Sequence, residues 1–237
     1  LDAPSMYPPL SWTSSGSPRQ IVPLQHSDIS YIRVCDAFLS SMPGASVTAI
    51  HRVENAISYT AYDARRRQVA FKRGGDTKEQ YLWYGSDGGS HFPELVEKGF
   101  LRSVLPSNAD YMYLGWGFYF AREARLADHI MGLGKQFSPS IERKLIFARV
   151  IIGNVTKSLP LQRSETSGLR EALQRPENRL PPHGAQSETG WDETELVTYE
   201  DHTAYPEFLV TYRTPFQGEL KWPNLNAAKA IAPGSGS

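Results

Sequence analysis

Three residues stand where this chain could carry chemistry at a glycine-lined cleft. In YLWYGSDGGSHFPELVEKGFLRS, residues 81 to 103, Tyr84 closes a strand-forming run just before Gly85, and a helix-forming run follows. A phenol at the mouth of such a cleft can donate one hydrogen bond and accept others. Tyr119 lies in GFYFA, and Gly115 and Gly117 before it open the backbone for a flat ring to approach. Glu195 begins the strand-like ELVTY and, taken alone, is a carboxylate at a strand edge. Metal chemistry is disfavoured, because the six histidines at 26, 51, 91, 129, 183 and 202 form no i, i+4 pair and Cys35 is the single cysteine. Gly88-Gly89 lack the following basic residue of a phosphate loop. Arg65, Arg66 and Arg67 fall on the solvated face of a helix, which favours a surface role over nucleic-acid contact.

The elements that must position these residues read as α+β. SDISYIRVCDAFLSS places Ile32, Cys35, Phe38 and Leu39 at helical spacing behind Ser27 and Asp28, and Pro43-Gly44 ends the run. ASVTAIHRVEN has the β-branched content of a strand, and AISYTAYDARRRQVAFKR repeats Ile57, Ala61, Tyr62 and Val69 helically. GFYFA is a short strand, and REARLADHIMGLG is an amphipathic helix that Gly132 and Gly134 terminate. ERKLIFARVIIGNVT carries the longest strand signal, expected at the centre of a sheet; TELVTYED and EFLVTYRTP add two more strands. Residues 157 to 190 are polar and Pro-rich, an excursion too long for a mere connection.

Composition sets broad limits. With 237 residues, 40% of them apolar, the chain can bury one substantial core. Lys plus Arg equals Asp plus Glu at 25 each, so no global field attracts nucleic acid or an anionic membrane. No apolar run approaches the roughly 18 residues of a membrane span. We expect residues 1–20 to be an extended leader, 21–216 the folded domain, and 217–237 a tail whose final APGSGS reads as a linker remnant. A monomer in a reducing, intracellular compartment, cytoplasmic or nuclear, is the expected setting.

From about Trp12 to Tyr212 the chain resembles the catalytic domain of the poly(ADP-ribose) polymerase-like, diphtheria-toxin-type ADP-ribosyltransferases, closest to the branch that transfers single ADP-ribose units. The matching pieces are VTAIHRVEN, YLWYGSD against the LxHG[ST] strand end, GFLRS, GWGFYFA against GKGxYFA, and AYPEFLVTY, in the family's order. The resemblance implies two packed, mostly antiparallel sheets with flanking helices, gripping NAD+ as substrate in a split cleft. It also implies a triad of histidine on a ribose hydroxyl, tyrosine stacked on nicotinamide, and glutamate steadying an oxocarbenium-like sugar.

By that resemblance the glutamate is Glu195, counted back from AYPEFL, and the stacking tyrosine is Tyr119. Glu193 and Glu200 are its alternatives, with less support from the spacing. Gly85 matches the glycine whose backbone holds the nicotinamide amide, and Ser86 and Arg102 match positions lining the adenosine end. Departures from the family pattern fall on the same cleft. Tyr84 replaces the histidine, Ala127 the amide-binding serine, and Ile130 the second stacking tyrosine; Gly115-Trp116-Gly117 replaces glycine-lysine-glycine. Losing one hydrogen bond and one stacking partner costs on the order of 1 kcal/mol each, which weakens NAD+ binding some tenfold to a hundredfold without forbidding it.

The expected activity is NAD-dependent transfer of single ADP-ribose units, a pentosyl transfer, to a protein or nucleic-acid acceptor with release of nicotinamide. Residues 103 to 114 would cover the substrate and 157 to 190 would help choose the acceptor. Two alternatives stay open: an NAD glycohydrolase using the same cleft, and an inactive domain kept for interactions.

Overall fold

The computed structural model of the chain describes residues 9, 12–13, 17–85, 91–105, 117–132, 141–157, 187–189 and 194–215, with backbone alone at 130–132 and 188–189. In chain order the elements are β1 (Arg19–Pro23), α1 (Ile29–Leu39), β2 (Ser46–Asn55), α2 (Ala56–Lys72), β3 (Glu79–Tyr84), α3 (Phe92–Lys98), a 3-10 turn (Arg102–Val104), β4 (Phe118–Ala121) and α4 (Ala124–Gly132). Then come β5 (Arg143–Ile151), β6 (Val155–Lys157), β7 (Ser187–Thr189), β8 (Glu195–Thr198) and β9 (Ala204–Arg213). The chain is α+β, as its sequence implies. Among the described residues no helix is long and apolar enough to cross a membrane.

Among the described residues nine strands join in the order β1-β2-β9-β5-β3-β4-β8-β7-β6, antiparallel except for β6 and β7. β5, the long Val/Ile-rich run, is central as expected, pairing with β3 on one side and β9 on the other. Between β3 and β4 the ladder narrows to one register pair, Trp83 with Ala121. On either side of that point the pairings are longer, six residue pairs between β3 and β5 and four between β4 and β8. β7 corrects the reading of residues 157 to 190 as a loop excursion throughout: Ser187–Thr189 is a strand in parallel register with Val155–Lys157. Residues 158–186 lie outside the described set. Pro206 sits in β9, where the register with β5 shifts between Phe147 and Arg149, the kind of irregularity that tolerates a residue with no N–H.

Strand alternation gives the sheet two apolar faces. On one, α1 and α4 cover Trp83, Leu145, Phe208, Val210 and Tyr212. On the other, α3 and the 3-10 turn cover Leu82, Tyr84, Ile146, Ala148 and Val150. α1 presents Tyr31, Val34 and Phe38, and the Phe38 ring meets Tyr212 at 4.7 Å and Trp83 at 5.6 Å. The inward face differs from expectation at Ile32 and Ile57, which stay 43% and 58% exposed. In α1 the aromatic neighbour Tyr31 takes the core position; in α2 the residue next to Ile57 that is buried is Ser58, while Tyr62 and Val69 face inward as expected.

The basic run of α2 also differs from a freely solvated face. Arg66 and Arg67 both pair with buried Asp63, and Arg65 pairs with Glu200 in the turn after β8. Trp12 packs on Tyr59 and Tyr205, and the Thr13 N–H donates to buried Glu54 at 3.0 Å, so these two residues are docked on the domain. Burial alone would raise the Glu54 pKa, yet the Thr13 N–H, Arg52 and Gln20 together hold it below the usual carboxylate range.

Asn55 ties three elements together. Its Oδ1 caps α2 by accepting from the Ser58 N–H at 3.1 Å, its Nδ2 donates to the Val96 and Glu97 carbonyls that end α3, and its N–H donates to the Tyr205 hydroxyl. α3 stops at Gly99, whose φ of 80° lies in the left-handed region and whose missing Cβ leaves room for Ser58. Asn55→Ala removes the cap and both donors at a buried site, and we expect a loss of about 2–3 kcal/mol, measured by urea unfolding. A loss under about 0.5 kcal/mol would mean these bonds contribute as little as surface ones.

Candidate active site

The candidate residues gather around the point where β3 and β4 part. Ala121 at the end of β4 is the register partner of Glu195 at the start of β8, and Tyr119 is the partner of Val197. Cross-strand partners share a face, so Tyr119, Ala121, Glu195 and Val197 share one, with Tyr119 and Glu195 as diagonal neighbours. Glu195 is 3% exposed and Tyr119 3%. The carboxylate read from sequence as a strand-edge group is therefore a buried one. An ionised carboxylate at that depth persists only with partners or function to hold it.

Tyr84 occupies the other phase. Its ring lies 5.3 Å from Phe100, 5.7 Å from Phe120, and 6.2 Å from both Phe92 and Phe118. Phe118 and Phe120 alternate with Tyr119 and Ala121 along β4, so the ring of Tyr84 packs on the face opposite to Tyr119 and Glu195. The phenol is 4% exposed and its ring is a full member of the aromatic core. The structure thus brings Tyr119 and Glu195 together and sets the Tyr84 ring across the sheet from them.

Gly85 follows Tyr84 and rotates the next position onto the α4 face. A Cβ there would lie 2.1 Å from the Ala127 carbonyl oxygen and 3.2 Å from Leu145 Cδ2. The α4 backbone is therefore seated on Gly85, and Ala127 is fully buried at this contact. Gly117 has a related reason: a Cβ would meet the Thr198 carbonyl at 2.6 Å and Val197 Cγ2 at 2.7 Å. The space beside Gly117 is filled by β8, so the approach it permits is strand to strand rather than the entry of a ring. Gly115, Trp116, Ser86 and the Ile130 side chain lie outside the described residues.

Arg102 stands in the 3-10 turn, and its backbone N–H donates to Asp201 at 2.6 Å. The His202 N–H donates to the Phe100 carbonyl at 3.0 Å, and the Thr203 hydroxyl donates to the Glu200 carbonyl at 2.9 Å with Thr198 Oγ1 also 2.9 Å away. These bonds fix the turn after β8 to the segment after α3. Of residues 103 to 114, which sequence places over the substrate, 103–105 belong to this turn region, while 106–114 lie outside the described set. Among the described residues no group of three or more His, Cys, Asp or Glu could hold a metal ion.

One polar cluster beside the site was not legible in the sequence. Arg143 and Tyr212 are register partners of β5 and β9, and both reach Asp128 of α4. Arg143 Nη1 lies 2.9 Å from each Asp128 oxygen, and the Tyr212 hydroxyl donates to Asp128 Oδ1 at 2.5 Å. Burial, and then the adjacent Asp128 charge, push the Tyr212 phenol far up, so it stays protonated and donates. The sequence signal was an acid, Asp128, inside the amphipathic helical run LADHIM, which periodicity places without naming its partners.

No protein-family model matches the chain. Compared with curated proteins, it is 25% identical over 193 residues to the human protein mono-ADP-ribosyltransferase PARP14, covering 81% of this chain and 10% of that protein. It is 24% identical over 201 residues to mouse protein mono-ADP-ribosyltransferase PARP12, covering 81% of this chain and 25% of the relative. Against human PARP12 the figures are 24% over 227 residues, 86% and 27%. The chain therefore spans between a tenth and about a quarter of the length of these relatives.

Proposed function

Because the chain is a homologue of PARP-like mono-ADP-ribosyltransferases, we propose that it is itself an NAD-dependent transferase of single ADP-ribose units. The observation that carries this reading is a buried carboxylate, Glu195, beside a buried tyrosine, Tyr119, on one face of the β4–β8 ladder where β3 and β4 separate. The parting of the sheet at Trp83 and Ala121 would be the split cleft that takes NAD+.

In this reading Gly85 holds the nicotinamide amide through its backbone and Tyr119 stacks on the ring. As the bond between nicotinamide and ribose loosens, its electron pair leaves with nicotinamide and positive charge develops on the sugar. Glu195 faces that charge from a site shielded from water, where a fixed carboxylate stabilises it more than solvent would. A nucleophile on a protein or nucleic-acid acceptor then attacks the anomeric carbon and gives up its proton. The test is product length on labelled NAD+: single units are expected, long chains would overturn single-unit transfer, and nicotinamide release without label would identify a glycohydrolase.

Tyr84 holds the position of the family histidine, but its ring lies among the four phenylalanines on the face away from Glu195, and we assign it a packing role at the end of β3 and leave the ribose to Glu195. Tyr84→Phe, which keeps the ring in the aromatic core, should then leave the KM for NAD+ within about twofold of wild type, with little change in Tm. Restoring the histidine should not help. An imidazole placed among Phe92, Phe100, Phe118 and Phe120 buries a polar ring and leaves a void, and Tyr84→His is expected to cost about 2–3 kcal/mol. A Tyr84→His protein with full stability and raised turnover would contradict this assignment.

The enclosure of Tyr84 favours one second reading, a domain kept for contacts, in which the ribose contact of the family histidine is lost. Such a domain would show no NAD+-induced rise in Tm.

A further inference from the structure

We propose that Asp128, with Arg143 and Tyr212, is the positioning element of the substrate cleft: it fixes α4 on the sheet so that the Ala127 backbone sits at its observed place against Gly85. This rests on the transferase reading, in which Gly85 holds the nicotinamide end.

The need for such an element follows from the rest of α4. The helix is nine residues long, and among its described side chains Ala124 and Ala127 are small and fully buried, with Leu126 partly buried against the same core. Methyl groups on a flat apolar surface allow close approach, but their contacts change little when a helix slides or rotates slightly. Hydrogen bonds do not share that tolerance, since they weaken steeply with angle and distance. Asp128 is next to Ala127 and accepts from two groups that come from different strands, Arg143 of β5 and Tyr212 of β9.

Those two donors are themselves register partners, so the sheet holds them in fixed relation to each other and to Leu145, which also borders Gly85. All three side chains of the cluster are buried, at 8%, 7% and 0% exposure for Asp128, Arg143 and Tyr212. A buried ion pair is a poor source of net stability, because desolvation offsets most of its attraction. What it supplies is direction. The carboxylate locks one residue of α4 to two strands, and the residue just before it is the one that touches Gly85.

The experiment compares wild type with Tyr212→Phe and Asp128→Asn by hydrogen exchange over residues 124–132, NAD+ affinity by calorimetry, and kcat from nicotinamide release. Tyr212→Phe removes a single hydroxyl and keeps the ring against Phe38, so it carries the test if Asp128→Asn fails to fold. For Tyr212→Phe we expect α4 amides to exchange about tenfold faster and the NAD+ Kd to rise about tenfold, with kcat at saturation within about twofold of wild type. A protein that lost packing alone would show faster exchange across the whole sheet instead. Wild-type exchange in α4, or loosened α4 with unchanged NAD+ affinity, would overturn the positioning role while leaving the transferase reading intact. Wild type that binds no NAD+ would sink the transferase reading, and the positioning role with it.

Discussion

Replacing Glu195 by glutamine is expected to lower nicotinamide release from NAD+ by about a hundredfold to a thousandfold, with NAD+ affinity nearly unchanged. Glutamine has the shape of glutamate and can still bond a ribose hydroxyl, so the ground-state complex survives. It lacks the negative charge, which matters only as the sugar becomes cationic. An effect confined to kcat is the signature of an interaction made in the transition state alone. The site favours a large effect, because Glu195 is 3% exposed and water cannot replace the missing charge. Glu195→Gln with full turnover would remove Glu195 from the chemistry, and Glu200, paired with Arg65 in the turn after β8, would offer no ready substitute.

Gly85→Ala should act by space alone. The added methyl would stand 2.1 Å from the Ala127 oxygen and 2.9 Å from its carbonyl carbon, both backbone atoms that cannot swing aside. Either β3 or α4 must move. Overpacking of this kind costs about 3 kcal/mol, or on the order of 10 °C in Tm for a domain of this size. Nicotinamide release should fall with it, since the displaced groups are those assigned to the amide. A Gly85→Ala protein with wild-type Tm and turnover would show that α4 does not rest on Gly85.

Much of the sheet was legible because its strands advertise themselves. VTAIHRVEN, LIFARVII and EFLVTY are rich in β-branched and aromatic residues, and they became β2, β5 and β9 with β5 central. Burial within helices was less legible. Ile32 and Ile57 looked like core by hydrophobicity but face outward, since periodicity fixes the angle between residues and not which arc meets the sheet. β7 escaped notice because three residues in a polar, Pro-rich stretch carry no periodic signal, and only their register with β6 makes them a strand.

The candidate site divides the same way. Glu195, Tyr119 and Gly85 were found through short motifs whose order the family resemblance supplied. Their burial and the shared face of Tyr119 and Glu195 needed the β4–β8 register. The Asp128 cluster was beyond reach, since Asp128 and Tyr212 are separated by 84 positions and meet only through the topology. Tyr84 was visible as an odd residue at a key position, yet its four phenylalanine neighbours come from three separate segments of the chain.

The most direct test incubates the wild-type protein with NAD+ labelled in its adenylate half and follows two quantities together, nicotinamide released and label fixed to macromolecule. A mono-ADP-ribosyltransferase gives both, in proportion, with single units on the acceptor and both signals lost in Glu195→Gln. A folded protein that releases no nicotinamide, fixes no label and shows no NAD+-induced rise in Tm would contradict it.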